Sequence, residues 1–174
     1  MNDASSNRNW FEVENLDEIE SPALLIYPDR VCENIRRMVA IAGDPARLRP
    51  HVKTHKLAQV TAMQINAGIN KFKAATIAEA EMCGRAGAAE VLLAYQPVGP
   101  NVRRLAKLVR AFPKTIFACL VEDIGAAKRI SEIATHGGIK INVLLDLDCG
   151  QHRTASRRTK MWLNFIRRCC GYPG

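Results

Sequence analysis

A chain of 174 residues, 48% apolar and 24% charged, suits one globular domain with a sizeable core and excludes a disordered or low-complexity chain. The net charge of +8 raises the prospect of a nucleic-acid binder, but the excess is local: no acidic residue follows Cys149, while Arg153, Arg157, Arg158, Lys160, Arg167 and Arg168 all lie there. Basic residues at a chain end read as a solvated face, and no aromatic-and-glycine motif accompanies them, so no nucleic-acid partner is expected.

Residues 1–20 read as a polar N-terminal arm with Trp10 and Phe11 as its large apolar anchors. Pro22 marks a boundary, and Ala23–Tyr27 reads as a short apolar strand. Pro28-Asp29 opens a helix with Asp29 as its N-cap; Val31, Ile35, Met38 and Ala42 recur at helical spacing, and Gly43 and Pro45 end it. Leu48–Thr54 reads as a strand, and a helix over 56–67 follows with Leu57, Val60 and Gln64 on one face. Lys71–Ala75 is the next strand. Thr76-Ile77-Ala78-Glu79 is a capping box that opens a helix to Arg85; it accounts for Glu79 without any chemistry, and Glu81 reads as a surface group. Glu90–Tyr95 is a strand, and Pro97 and Pro100 forbid helix through the turn after it. A helix over 101–111 buries Val102, Leu105 and Val109. Thr115–Val121 is β-rich, Asp123 opens a helix that closes at Gly137-Gly138, and Ile139–Leu147 is a nearly continuous apolar strand of the kind buried on both faces. Beyond it, Trp162, Phe165, Ile166 and Cys169 give an apolar stripe to a helix over 161–169.

Strands alternating with helices through short linkers imply an α/β fold of parallel strands with right-handed crossovers. A dinucleotide-binding fold needs a glycine fingerprint after its first strand, and none is present. A TIM-type barrel fits better. Setting aside the N-terminal strand, the barrel strands begin near Leu48, Lys71, Glu90, Thr115 and Ile139. The expected fold is therefore a partial (β/α)8 barrel with about five of its eight strands, the front half of an enzyme. Open strand edges favour association, so a homo-oligomer is expected. No apolar run is long enough for a membrane span, and the polar, acidic start lacks a signal-peptide core, which points to the cytoplasm. The six cysteines are read as reduced, with Cys32, Cys83 and Cys119 acting as small hydrophobes and Cys149 as the one that lies in a loop near a candidate site.

The stretch Arg49-Pro50-His51-Val52-Lys53-Thr54-His55-Lys56 carries the chemistry. Strand alternation would put His51, Lys53 and His55 on one face. Desolvation and neighbouring positive charge disfavour an ammonium, so Lys53 is a candidate free amine, as Schiff-base chemistry with an aldehyde requires. The plainer reading is an edge strand whose histidines and lysines face solvent. His51-x-x-x-His55 on a strand is not a metal pair, and Cys149-x-x-His152 has no second pair near it, so no metal ligand is assigned.

The octapeptide resembles the pyridoxal-phosphate lysine motif of the D-threonine aldolase and D-serine dehydratase-like family, a branch of the alanine-racemase-type enzymes of fold type III. Ser21-Pro22-Ala23-Leu24-Leu25-Ile26-Tyr27, Ala75-Thr76-Ile77-Ala78-Glu79-Ala80-Glu81, Leu93-Ala94-Tyr95-Gln96-Pro97-Val98-Gly99 and Asp146-Leu147-Asp148-Cys149-Gly150-Gln151-His152-Arg153-Thr154 are similar to family segments, in family order. The resemblance implies that Lys53 forms the internal aldimine with pyridoxal phosphate, that Lys56 is its non-catalytic neighbour, and that Arg153 contacts the cofactor's phenolic oxygen. It implies a cofactor-binding barrel over 21–154, with 155–174 a divergent basic tail. The implied activity is cleavage of D-3-hydroxy amino acids to glycine and an aldehyde; D-serine dehydratase or racemase activity, an inactive fragment and a basic-tail binding module are the alternatives. The complete family enzyme also uses a divalent metal, whose ligands are expected outside this chain.

Overall fold

In a computed structural model, which describes residues 9–148, 150–152 and 156–157, the sheet has four parallel strands in the order β1-β2-β3-β4. They are β1 (Lys71–Ala74), β2 (Glu90–Leu93), β3 (Ile116–Leu120) and β4 (Asn142–Leu144). Parallel neighbours need a crossover, and helices supply each one: α3 (Ile77–Arg85), α4 (Pro100–Ala111) and α5 (Ile124–His136). Two helices precede β1, namely α1 (Pro28–Ala42) and α2 (Ala58–Asn66). Sheet and crossovers are those of a partial TIM-type barrel.

Strand alternation divides the sheet into two faces. Phe72, Ala74, Val91, Leu93, Phe117 and Cys119 lie in register across three strands and pack with Ile77, Ala80, Cys83, Val102, Leu105 and Ile130 of the helices into the main core. Leu92, Ala118 and Leu120 point the other way and form a separate small cluster. That second face is the one a closed barrel turns inward. Gly84 shows how close the helix layer lies: a Cβ there would stand 3.0 Å from Phe112 Cγ and 3.2 Å from Phe117 Cζ.

Local signals placed most elements. Thr76 Oγ1 accepts from the Glu79 N–H at 3.1 Å, and Asp123 Oδ1 accepts from the Ala126 N–H at 3.0 Å, each opening its helix as a cap should. Other expectations fail. Ala23–Tyr27 is not a strand. Asp29 is not the N-cap of α1: the helix begins at Pro28, a residue suited to a first turn because it has no N–H to satisfy, and Tyr27 takes the cap position. Of the α1 stripe only Ile35 is fully buried, and Cys32 is exposed. Cys83 and Cys119 are buried, and burial pushes both thiols up to about 12, so they are inert hydrophobes. Ile139–Leu147 is not one strand covered on both faces: Ile141 is buried, but Val143 and Leu144 of β4 are 46% and 45% exposed. The cause is position, since β4 pairs with β3 on one side and is the sheet's last strand among the described residues.

Candidate active site

The lysine stretch is not a strand. Its contribution to the sheet is a single parallel bridge between His51 and Lys73, where the Lys73 N–H donates to Pro50 O at 2.9 Å. The chain then coils into a 3-10 turn over Val52–Thr54. The two histidines explain the break. His51 Nδ1 accepts from the Lys53 N–H at 3.3 Å, and His55 Nδ1 accepts from the Leu57 N–H at 3.0 Å. Each imidazole thus takes a backbone donor two residues on, as short polar side chains do when they compete with a ladder. The Lys56 N–H closes on Val52 O at 2.8 Å, and Lys56 itself takes a left-handed φ of 52°. That conformation is costly for a residue with a Cβ, and it delays α2 to Ala58. Val52, wholly buried, pins the turn to the core. His51, Lys53 and His55 therefore do not share one strand face; Lys53 stands exposed at the C-terminal end of the sheet.

Both imidazoles have their pKa lowered from the ordinary histidine value. Burial lowers the pKa of His51 first, and the charges of Lys53 and Lys73 lower it further, against a smaller opposing pull from Glu79. Burial likewise lowers His55. With Nδ1 accepting in both rings, the neutral tautomer carries its proton on Nε2. The His55 Nε2 is buried without a partner among the described residues. The positive neighbour that sequence reading missed is Lys73. Its signal was the alternation Lys71-Phe72-Lys73-Ala74, in which burying Phe72 and Ala74 sends both lysines to the inner face.

Glu79 lies beneath the turn, 6% exposed. Its Oε2 accepts from the Ala75 N–H at 2.7 Å, and its Oε1 is 3.8 Å from Lys56 Nζ. Lys56 is thereby tied to the scaffold, while no ion-pair partner stands beside Lys53 among the described residues. Glu81 pairs with Arg85 on the surface at 2.7 Å.

Across the strand ends, Asp148 folds the last described loop. Its Oδ1 accepts from the N–H groups of Gly150 and His152 at 2.9 and 3.0 Å, and its Oδ2 lies 2.9 Å from His152 Nδ1. Those hydrogen bonds, the His152 N–H first, lower the Asp148 pKa and keep the carboxylate ionised. Arg153 and Cys149 lie outside the described residues, as does the tail beyond 157. Among the described residues, no three His, Cys, Asp or Glu side chains converge in a way that could hold a metal ion, and no helix is long and apolar enough to cross a membrane.

Residues 26–174 match the family described as alanine racemase, N-terminal domain. The chain belongs to this family. Its fold-type III members are pyridoxal-phosphate enzymes. Within the family the chain is 31% identical over 137 residues to the D-threo-3-hydroxyaspartate dehydratase of Delftia sp. (strain HT23), covering 78% of this chain and 36% of that protein. It is 26% identical over 161 residues to the D-threonine aldolase of Arthrobacter sp., covering 91% and 42%. The crystal structure of D-threonine aldolase from Filomicrobium marinum superposes with a TM-score of 0.80 at 26% identity, covering 91% of this chain and 42% of that one. The dehydratase structure gives 0.69 at 30% identity, covering 79% and 36%. The chain thus spans about two fifths of the length of these relatives.

The described residues fit an anionic aldehyde cofactor. Lys53 offers an exposed amine on a braced turn, and the adjoining inner face is cationic. Pyridoxal phosphate would add an electron sink to that amine.

Proposed function

We propose that this chain carries the cofactor-binding part of a pyridoxal-phosphate-dependent lyase of the D-threonine aldolase type, with Lys53 as the amine that holds the cofactor aldehyde and D-3-hydroxy amino acids as substrates. The observation that carries this reading is the Lys53 turn. A flexible ammonium on a surface strand would have no defined direction. Here the residue's own N–H is held by His51, the following turn closes on Val52 O, and Val52 is buried. The backbone of Lys53 is therefore fixed at the C-terminal end of a parallel sheet, where barrels of this type place their chemistry. Burial lowers the pKa of both imidazoles, which disfavours added positive charge beside the amine. Arg153 is proposed as the cation that holds the cofactor's phenolic oxygen; the support is its place in the Asp146–Thr154 segment of the sequence.

The identity to the Delftia dehydratase supports a second reading, elimination of water from a D-3-hydroxy amino acid at the same amine, with the enamine product then hydrolysed to a 2-oxo acid and ammonia. One experiment addresses both. The chain is mixed with pyridoxal phosphate, reduced with borohydride and mapped by peptide mass. Attachment at Lys53, lost in Lys53→Ala and kept in Lys56→Ala, is the expected result; attachment spread over several lysines would overturn the assignment. Incubation with D-threonine and with D-threo-3-hydroxyaspartate then separates the two chemistries, since an aldol cleavage releases aldehyde and a dehydratase releases ammonia.

β4 is the last strand of its sheet among the described residues and leaves Val143 and Leu144 exposed, which supports self-association of this chain. A dimer is the expected species in size-exclusion chromatography with light scattering; a monomer at all concentrations would contradict it.

A further inference from the structure

The register of the sheet aligns one row of inner-face residues from strand to strand. His51 bridges Lys73, Lys73 stands opposite Leu92, Leu92 opposite Ala118, and Ala118 opposite Asn142. Lys53 lies two residues beyond His51, on the 3-10 turn that follows the bridge. The level below, toward the N-terminal ends of the strands, is electrostatically closed. There Arg49 pairs with Glu90 at 2.7 Å, and Lys71 Nζ donates to Ala46 O at 3.1 Å. Lys53 and Lys73 differ from these: neither ammonium has a hydrogen-bond or ion-pair partner among the described residues. Lys73 is also half-buried. A partly desolvated ammonium without a counter-charge is unfavourable, and an arriving anion relieves it. The one carboxylate that acts on His51, Glu79, is already held by the Ala75 N–H and lies beside Lys56.

We propose that Lys73 holds a small oxyanion, a carboxylate or a phosphate, on the inner face beside His51, with Leu92 and Ala118 as the apolar side of the site. The site deepens the cofactor reading and takes its ligand chemistry from it. The ring of His51 stands opposite Lys73 in the bridge and two residues before Lys53, and feels both charges. It is therefore a built-in reporter. An anion seated on Lys73 would offset the lysine charges and raise the His51 pKa.

The test follows the His51 ring resonances of the full chain by NMR, assigned with His51→Gln, during separate titrations with sodium phosphate and sodium acetate at constant ionic strength. Saturable shifts are expected with at least one of the two. Phosphate alone assigns the site to a phosphate ester, acetate alone to a substrate carboxylate. Lys73→Met should weaken the binding about tenfold, the scale of one partly desolvated charge pair, whereas Lys73→Arg should keep it. Shifts that never saturate with either anion, or equal affinity in Lys73→Met, would overturn the proposal. Should Lys73→Met fail to fold, Lys73→Gln serves the same comparison, and the wild-type titration decides alone. Borohydride attachment at Lys53 is scored independently, so the cofactor reading and the anion site fail separately.

Discussion

The two faces of the sheet are made by the same strands and follow different rules. On the helix side, Phe72, Val91 and Phe117 are buried to 4% exposure or less and join the main core. On the inner side, the residues next to them are Lys73, Leu92 and Ala118, where a lysine without a partner among the described residues adjoins a small apolar cluster. Stability is concentrated on the first face and ligand-accessible charge on the second. A change on either face should therefore be felt differently.

The largest expected effect breaks the helix-side core. Phe72→Ala removes a fully buried ring and should cost about 3–5 kcal/mol of unfolding free energy in a denaturant titration. Lys73→Met, one residue along, should leave that titration within about 1 kcal/mol, because it faces away from the core. Next comes overpacking. Gly84→Leu drives a side chain into Phe112 and Phe117 and should destabilise by about 1–3 kcal/mol, measured the same way. Third is the buried carboxylate between the faces. Glu79→Ala leaves the Ala75 N–H without its acceptor and should cost about 1–3 kcal/mol. It should also lower the His51 and His55 titration midpoints, since the charge of Glu79 raises both. The smallest effect is with pH. The native His51 and His55 pKa values lie below the ordinary value of 6.5, so the unfolded chain binds protons first as pH falls. The stability they contribute is complete above about pH 6.5 and is lost progressively as pH falls from there through the native values. A melting temperature unchanged between pH 7.5 and 5.5 in wild type, or equally pH-dependent in the His51→Gln/His55→Gln double variant, would contradict this.

The βα rhythm, the Thr76 and Asp123 caps and the outer core of the sheet were legible because each rests on local chemistry that neighbours only reinforce. The lysine turn was not. His-x-Lys-x-His has the period of a strand, and nothing in a linear pattern says that an imidazole will take the N–H two residues on, or that Lys56 will accept a left-handed φ. The exposure of β4 was missed for a related reason: an apolar run reports what a strand prefers to bury, not whether a neighbour is there to bury it. Lys73 was readable from the Lys-Phe-Lys-Ala alternation but reads there as a surface lysine. Only the bridge to His51 places it beside the lysine turn.

The His51–Lys73–Leu92–Ala118–Asn142 row has a consequence for how such a chain can change over generations. Lys73 alternates with Phe72 and Ala74, which pack into the main core, so its side chain can be exchanged with little penalty to folding. The charge offered on that face can then change at one position while the core that carries the sheet is inherited intact.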